Sequence, residues 1–408
     1  MATASARDPT ALTALQAAFR ARYGAPDPVA VIRAPGRINL IGEHIDYAGL
    51  AVLPMALQRH VALLIRPRTD AVVRIANLDP EFPTRAFAIG RDIPPYPAGD
   101  WGNYAKAAVQ ALARTLDPLD GFDGVIGSSI PIAAGLSSSS ALVVAAARAL
   151  LHVNGAHPMP LALAQQLAEA ERYVGTEGGG MDQAICLGAV AGTASRVEFA
   201  PLRLTPHAVP PDWRLVVAHS LARAEKSGAA QQRYNHRTQE CAAALAAVTA
   251  HLGLAGMSYR ELVAARPPAE LLEAGARALD DPVRRRYRHV ITEVDRVTRG
   301  ETAMARADLD AFGAVLSAAH ASLREDFEVS TAALDELVQI ATEAGATGAR
   351  LTGAGMGGCI VAAGRTDTVD RMLDELAARF YAPRKIEGSL DDVLFVADPA
   401  GGASVEPV

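Results

Sequence analysis

Three glycine-rich loops constrain this chain more than any other feature. They read GRINLIGEHIDYAG (36–49), GLSSSS (135–140) and GAGMGG (353–358), and each adjoins an apolar run. Glycine at such density lets a ligand or a second backbone come closer than side chains would permit. A chain of 408 residues also exceeds one typical core of ~100–200 residues, so two domains are expected.

Half the residues are hydrophobic and 21% are charged, a composition that folds. The net charge of −6 disfavours nucleic acid and anionic membranes as partners. Cys186, Cys241 and Cys359 stand far apart with no metal-ligand spacing, which argues against a zinc site or a disulfide framework and makes the cytoplasm the natural compartment. The opening MATASARDPT has no apolar core and does not read as a secretory signal. No uncharged apolar stretch reaches the ~18 residues a membrane span needs.

Element signals follow in order. Thr10 is placed to cap a helix over 11–23 that stops at Gly24. The β-branched run 28–35 reads as a strand, followed by the loop 36–49; 53–68 and 71–78 read as further strands. Helices are expected at 103–116, 141–153 and 161–173, then a glycine loop at 174–183 and strands at 192–200 and 213–220. From Glu225 the chain reads as mainly helical (228–252, 258–278, 282–298, 307–322, 334–345). Strand, glycine loop and strand occupy 348–364, a helix covers 366–381 and a strand 391–398, and 397–408 reads as a loose tail. A β-rich half followed by a helical half with late strands argues α+β, not a regular βαβ array. Dense proline at 201–211 suggests a boundary there, giving lobes of 1–205 and 206–408.

Each loop admits a functional and a plain reading. GLSSSS opens an apolar helix, whose first N–H groups lack internal partners and attract anions. Its serines either cradle phosphate or simply cap the helix. No GxxxxGK(S/T) occurs, so this is not a Walker loop. GAGMGG matches a dinucleotide fingerprint literally, yet it leads into the strand-like CIVAA and not into a helix, so the dinucleotide reading fails on placement. Arg37, Glu43, His44 and Asp46 converge on a polyhydroxylated ligand or line a solvated turn. Asp182, after glycines, is a base or a helix cap.

Taken together, these segments resemble the GHMP small-molecule kinase superfamily, and within it the galactokinases. The resemblance rests on APGRINLIGEHIDYAGLAVLPMAL (34–57), PIAAGLSSSSALVVAA (131–146) and LTGAGMGGCIVAA (351–363), in family order. EGGGMDQ (177–183), RYNHRTQEC (233–241), RYRHVITEV (286–294) and HASLREDFEVS (320–330) add to it. It implies a two-lobed α+β molecule, with mixed sheet and helices in each lobe and a site in the cleft between lobes. ATP is the co-substrate, Mg²⁺ the metal, and a sugar the acceptor of phosphate at its anomeric hydroxyl. Asp182 is then the catalytic carboxylate and Arg37 its cationic neighbour. Glu43, His44, Asp46, Gly179, Asp182 and Tyr234 line the sugar. Gly135, Leu136, Ser137, Ser138 and Ser139 hold the nucleotide phosphates, and Ser139 with Glu171 holds Mg²⁺. Gly353 and Gly355 support the floor of the site. A cytoplasmic monomer acting on small molecules, with no nucleic acid or membrane partner, is expected.

The sugar loop GTEGGGMDQ and GEHIDY look more like the N-acetylgalactosamine kinase branch, and Ser140 stands where the nucleotide signature usually has Ala. Galactose is the expected substrate, with N-acetylgalactosamine 1-kinase as the alternative. A non-catalytic galactose/ATP sensor is a further class; it would carry a damaged nucleotide loop, whereas GLSSSS is complete here.

Overall fold

The computed structural model describes residues 10–116, 118–175, 178–222, 228–384, 386 and 388–408, with backbone alone for 228–231. The first half runs α1 (Leu12–Tyr23), β1 (Ala30–Ile41), β2 (Leu53–Pro67), β3 (Val72–Asn77), β4 (Arg85–Ala88), α2 (Gly102–Ala113), β5 (Phe122–Ser128), α3 (Ser138–Val153), α4 (Pro160–Ala170), α5 (Met181–Gly188), β6 (Thr193–Phe199) and β7 (Leu202–Ala208). The second runs β8 (Trp213–His219), α6 (Gly228–His251), α7 (Tyr259–Ala265), α8 (Pro268–Ala278), α9 (Val283–Ala305), α10 (Leu309–Glu325), α11 (Ala332–Glu343), β9 (Gly348–Thr352), β10 (Cys359–Arg365), α12 (Val369–Leu376), β11 (Leu394–Ala397) and β12 (Ser404–Pro407). A six-stranded sheet has the order β12-β1-β2-β5-β3-β4, a four-stranded sheet the order β11-β8-β10-β9, and β6 and β7 form a hairpin. The α+β expectation holds. Among the described residues, no helix is long and apolar enough to cross a membrane.

The apolar runs of β1 and β2 are nearly continuous because the first sheet is covered on both faces. Val31, Ala62, Leu64 and Val125 meet Leu15 and Phe19 of α1 on one side. Their alternating neighbours Ile32, Leu63, Ile65 and Ile126 enter the larger core on the other, with Val143 and Val144 of α3.

Several expectations are corrected. Ala11, not Thr10, caps α1, with no side-chain bond; Thr10 is itself buried. The loop expected from residue 36 starts later, since β1 runs on to Ile41, with a register shift between Pro35, opposite His60, and Arg37, opposite Ala56. The single helix expected over 258–278 is two, because Pro267 is extended and caps α8. β4 and β7 add strands where polar residues hid the pattern. The boundary near residue 205 falls inside β7. The loose tail is not loose: β12 pairs antiparallel with β1, Ala30 opposite Pro407 and Arg33 opposite Ser404. Glu177 and Glu225 lie outside the described residues.

Asp123 of β5 knots three strands. Its carboxylate is 1% exposed and accepts from Arg66 at 2.6 Å, Arg68 at 2.8 Å and Arg74 at 2.7 and 2.9 Å. Burial alone would raise this carboxyl; the bonds from Arg74, Arg66 and Arg68 outweigh it and bring it down to about 2. The folded value lies below the unfolded one of ~3.9, so the contribution is complete above that range and is lost as pH falls toward 2. Asp123→Asn should therefore cost ~2–3 kcal/mol at neutral pH and flatten the acid limb of stability between about pH 4 and 2. Urea melts of both proteins over that pH series check this, and superimposable acid limbs would rule the knot out.

Candidate active site

The site begins with β1. Its second half carries Arg37, buried to 5% side-chain exposure, whose Nε donates to Asp182 Oδ1 at 2.7 Å. Arg37 Nη1 donates to the Gly135 carbonyl at 2.6 Å, and its backbone N to the Leu136 carbonyl at 3.1 Å. Burial works against the guanidinium charge, but Asp182, Glu43 and Asp46 outweigh it and raise its pKa. The glycine loop expected over 174–183 gives way to α5 at Met181, so Asp182 stands in a helical first turn, where the dipole favours a carboxylate.

The loop 135–140 departs from a simple capped helix. α3 starts at Ser138, three residues earlier than expected, and its N-cap Ser137 is left-handed at φ 61° with no side-chain capping bond. The Ser137 hydroxyl instead donates to Asp182 Oδ2 in a short bond. First-turn N–H groups of α3 are therefore not closed off by the N-cap side chain, as an anion site requires. Gly135 (φ 74°), buried Leu136, and half-buried Ser138 and Ser139 complete the loop.

The first signature folds its polar residues onto one wall. The buried Glu43 Oε2 accepts from Arg350 Nη2 at 2.5 Å and from Gly353 N at 3.0 Å. Burial still pushes this carboxyl upward, against the Arg350 and Arg37 charges. His44 sits at φ 60°, a strained setting for a histidine. Burial, helped by His289, lowers His44 to about 3, so the ring is neutral; its Nε2 donates to Ala354 O at 3.2 Å. Asp46 Oδ2 accepts from Gly179 N at 3.1 Å, and burial and the nearby Asp182 raise its carboxyl. Tyr234 of α6 packs its ring 5.7 Å from His44 and 5.9 Å from Tyr47. Arg37, Glu43, His44, Asp46, Asp182 and Tyr234 line one pocket with Gly178–Gly180 and Gly353.

Backbone contact explains the glycines. A Cβ on Gly353 would lie 2.6 Å from the Gly135 carbonyl, and one on Gly36 would lie 2.8 Å from the Leu136 carbonyl. One on Gly179 would lie 2.3 Å from the Asp46 carbonyl carbon. All three signatures thus meet backbone to backbone. Gly355 lies against Val329 and not against the pocket. Buried Glu171 borders the pocket, and its Oε1 accepts from Ser140 at 2.6 Å. Glu171 and the neighbouring serine hydroxyls are hard oxygen donors, the kind Mg²⁺ takes.

Four supporting residues were not among the site residues expected from the sequence. Arg350 precedes the third signature and reaches Leu40 O as well as Glu43. Glu293 of α9 accepts from Gly42 N at 2.9 Å and Glu43 N at 3.2 Å; burial would raise it, and Arg296 with His289 brings it down to about 2. His289 donates to the Glu43 carbonyl at 3.0 Å. Ser140 is fully buried. Glu293 and His289 lie within RYRHVITEV (286–294), whose family likeness was the available clue to them.

The family models agree with this geometry. A galactokinase galactose-binding signature matches residues 17–67, the GHMP kinase N-terminal domain residues 103–189, and the GHMP kinase C-terminal domain residues 301–382. The galactokinase of Roseiflexus sp. (strain RS-1) is 37% identical over 374 residues, which cover 90% of this chain and 91% of that protein. The Bos taurus galactokinase is 34% identical over 391 residues, 91% of this chain and 94% of that one. The crystal structure of Lactococcus lactis galactokinase complexed with galactose superposes with a TM-score of 0.86 at 28% identity, covering 96% of this chain and 99% of that one. A mevalonate kinase structure shares the fold alone, at a TM-score of 0.62 and 18% identity. With this agreement along nearly its whole length, the chain belongs to the galactokinase family of GHMP kinases.

Proposed function

We propose that this enzyme transfers the γ-phosphoryl group of ATP to the anomeric hydroxyl of galactose, with Asp182 as the base. The observation that carries the assignment is the position of Asp182. It is bonded to Arg37 on one oxygen and to Ser137 of the phosphate loop on the other, and it borders the pocket that Glu43, His44 and Asp46 line. A sugar in that pocket offers its hydroxyl to Asp182 on one side and meets the start of α3 on the other.

Phosphoryl transfer asks little covalent chemistry of a protein; it asks for an in-line nucleophile and stabilisation of charge. Glu43, Asp46 and neutral His44 take the sugar's hydroxyls, Tyr234 covers it, and Gly179 sets the loop against Asp46. Asp182 accepts the proton of the attacking hydroxyl. Gly135, Leu136 and Ser137–Ser139 take the phosphates at the dipole of α3. Arg37 holds Asp182 and adds positive charge beside the moving group. Glu171 and Ser139 would hold Mg²⁺, which neutralises negative charge on the nucleotide. A second reading, turnover of 2-substituted galactose such as N-acetylgalactosamine, is favoured by one observation. Beyond Gly178 and Gly179 the pocket adjoins a second space, lined by Asp46, Tyr47, Arg172, Phe199 and Thr238.

Asp182→Asn should lower kcat ~10²-fold or more with the fold intact; near-normal turnover by a folded variant removes Asp182 from the role of base. Gly179→Ala must displace the Asp46 backbone, so KM for the sugar should rise at least ~10-fold while ATP binding by calorimetry stays at the parent value. Unchanged sugar KM would show that the contact is not felt by the ligand. A coupled ADP assay should rank galactose above N-acetylgalactosamine and both above glucose, since an inverted 4-hydroxyl leaves buried polar groups unpaired, a penalty that can reach ~10⁴. N-acetylgalactosamine outrunning galactose would make the second reading the first, and glucose equalling galactose would sink the sugar-pocket assignment.

A further inference from the structure

Asn39 is a buried polar side chain beside this site with no task in the mechanism above. It lies on β1 two residues after Arg37, where pairing with β2 is regular: Arg37 opposite Ala56, Ile38 opposite Met55, Asn39 opposite Pro54. Side chains two apart on a strand share a face, so the amide and the Arg37 guanidinium point to the same side. Asn39 is 0% exposed. Its backbone is fully engaged, N donating to Thr352 Oγ1 at 2.9 Å and O accepting from the same hydroxyl at 3.1 Å. Its side chain is not: neither Nδ2 nor Oδ1 makes a hydrogen bond. A buried amide without partners is costly, and an apolar side chain of the same size would avoid that cost.

The neighbour that explains the amide is Glu43. Arg350 joins the carbonyl of Leu40, the next residue along β1, to Glu43 Oε2, and Thr352, which clasps the Asn39 backbone, is followed by Gly353, which donates to the same oxygen. These contacts bring Asn39 and the Glu43 carboxylate close together, and the amide favours the charged form of that carboxylate, although no bond of ordinary geometry joins the two side chains. Glu43 Oε2 is taken by Arg350 and Gly353. The residue faces the pocket, and among the described residues no hydrogen bond of ordinary geometry reaches Oε1.

We propose that Asn39 is a positioning residue for substrate selection: when sugar occupies the pocket, the Asn39 amide donates to the Glu43 carboxylate and aims Oε1 at a sugar hydroxyl. This rests on the reading that Glu43 borders the sugar. The amide is unpaired without ligand and paired with it, so its relief is part of the sugar's binding energy. None of the hydrogen bonds described for Asn39 goes to residues 135–139.

Asn39→Leu separates this from a structural role. The variant should melt at or above the parent temperature, because an unpaired amide has been replaced by an apolar group. Its KM for galactose should rise about tenfold, the scale of one hydrogen bond to a charged group, with kcat at saturating sugar and KM for ATP within about threefold of the parent. Galactose should also raise its melting temperature less than it raises the parent's. In a Glu43→Gln background the same substitution should add less than about twofold, since its partner is already altered. If leucine prevents folding, Asn39→Ala takes its place, with the same expected rise in KM for galactose. A folded Asn39→Leu or Asn39→Ala protein whose KM for galactose stays within about twofold of the parent overturns the proposal, given that Glu43→Gln is itself impaired. An unimpaired Glu43→Gln protein instead overturns the underlying reading of the sugar wall.

Discussion

A carboxylate buried between two sheets needs a cation at the same depth, and Glu43 finds one in Arg350 at 2.5 Å. The acid follows β1 of the first sheet and the base lies on β9 of the second. Arg350 is 0% exposed and spends its remaining donors on Leu40 O and Leu351 O. Removing either member of such a pair strands the other without compensation, at a cost of ~3–5 kcal/mol. The same carboxylate fixes Gly353 N. Gly353 rests against Gly135, and the Gly135 carbonyl orients Arg37, which holds Asp182. One buried ion pair thus sets, through four contacts, where the Asp182 carboxylate stands.

Charge around the pocket is lopsided. Glu43, Asp46, Glu171 and Asp182 border it, and Arg37 is the arginine among its lining residues. Burial pushes Glu43 and Asp46 upward, so their charged forms are held at some cost. An acid-rich wall suits a neutral polyol, whose hydroxyls all have protons to give. It suits a bare polyphosphate poorly. The start of α3 supplies the positive charge that a polyphosphate needs.

Much of this was legible in the chain. Glycines at 36, 135, 179 and 353 announced close backbone approach, and each is now explained by a carbonyl or main-chain atom within 2.3–3.3 Å of a hypothetical Cβ. Arg37, Glu43, His44, Asp46, Asp182 and Tyr234 converge as their motifs implied. Residues that act from beneath were not legible. Glu293, His289 and Arg350 sit in runs whose periodicity fits an ordinary helix or strand, and only tertiary folding turns them toward Glu43. Ser137 was read as cradling phosphate or capping the helix, while its hydroxyl serves Asp182. β12 escaped notice because four residues at a sheet edge, one of them a proline, carry no apolar pattern of their own.

That short strand has a bearing on how the chain is made. β1 holds Arg37 and leads directly into Glu43, and one of its two edges is covered by residues 404–407. During synthesis, which proceeds at ~5–20 residues per second, β1 emerges long before its outer neighbour. For most of translation the first sheet therefore presents an open edge of unpaired N–H and C=O groups, a template for any other extended chain. The nascent protein is open to mispairing at the strand that carries Arg37, and that exposure ends only when residues 404–407 are in place.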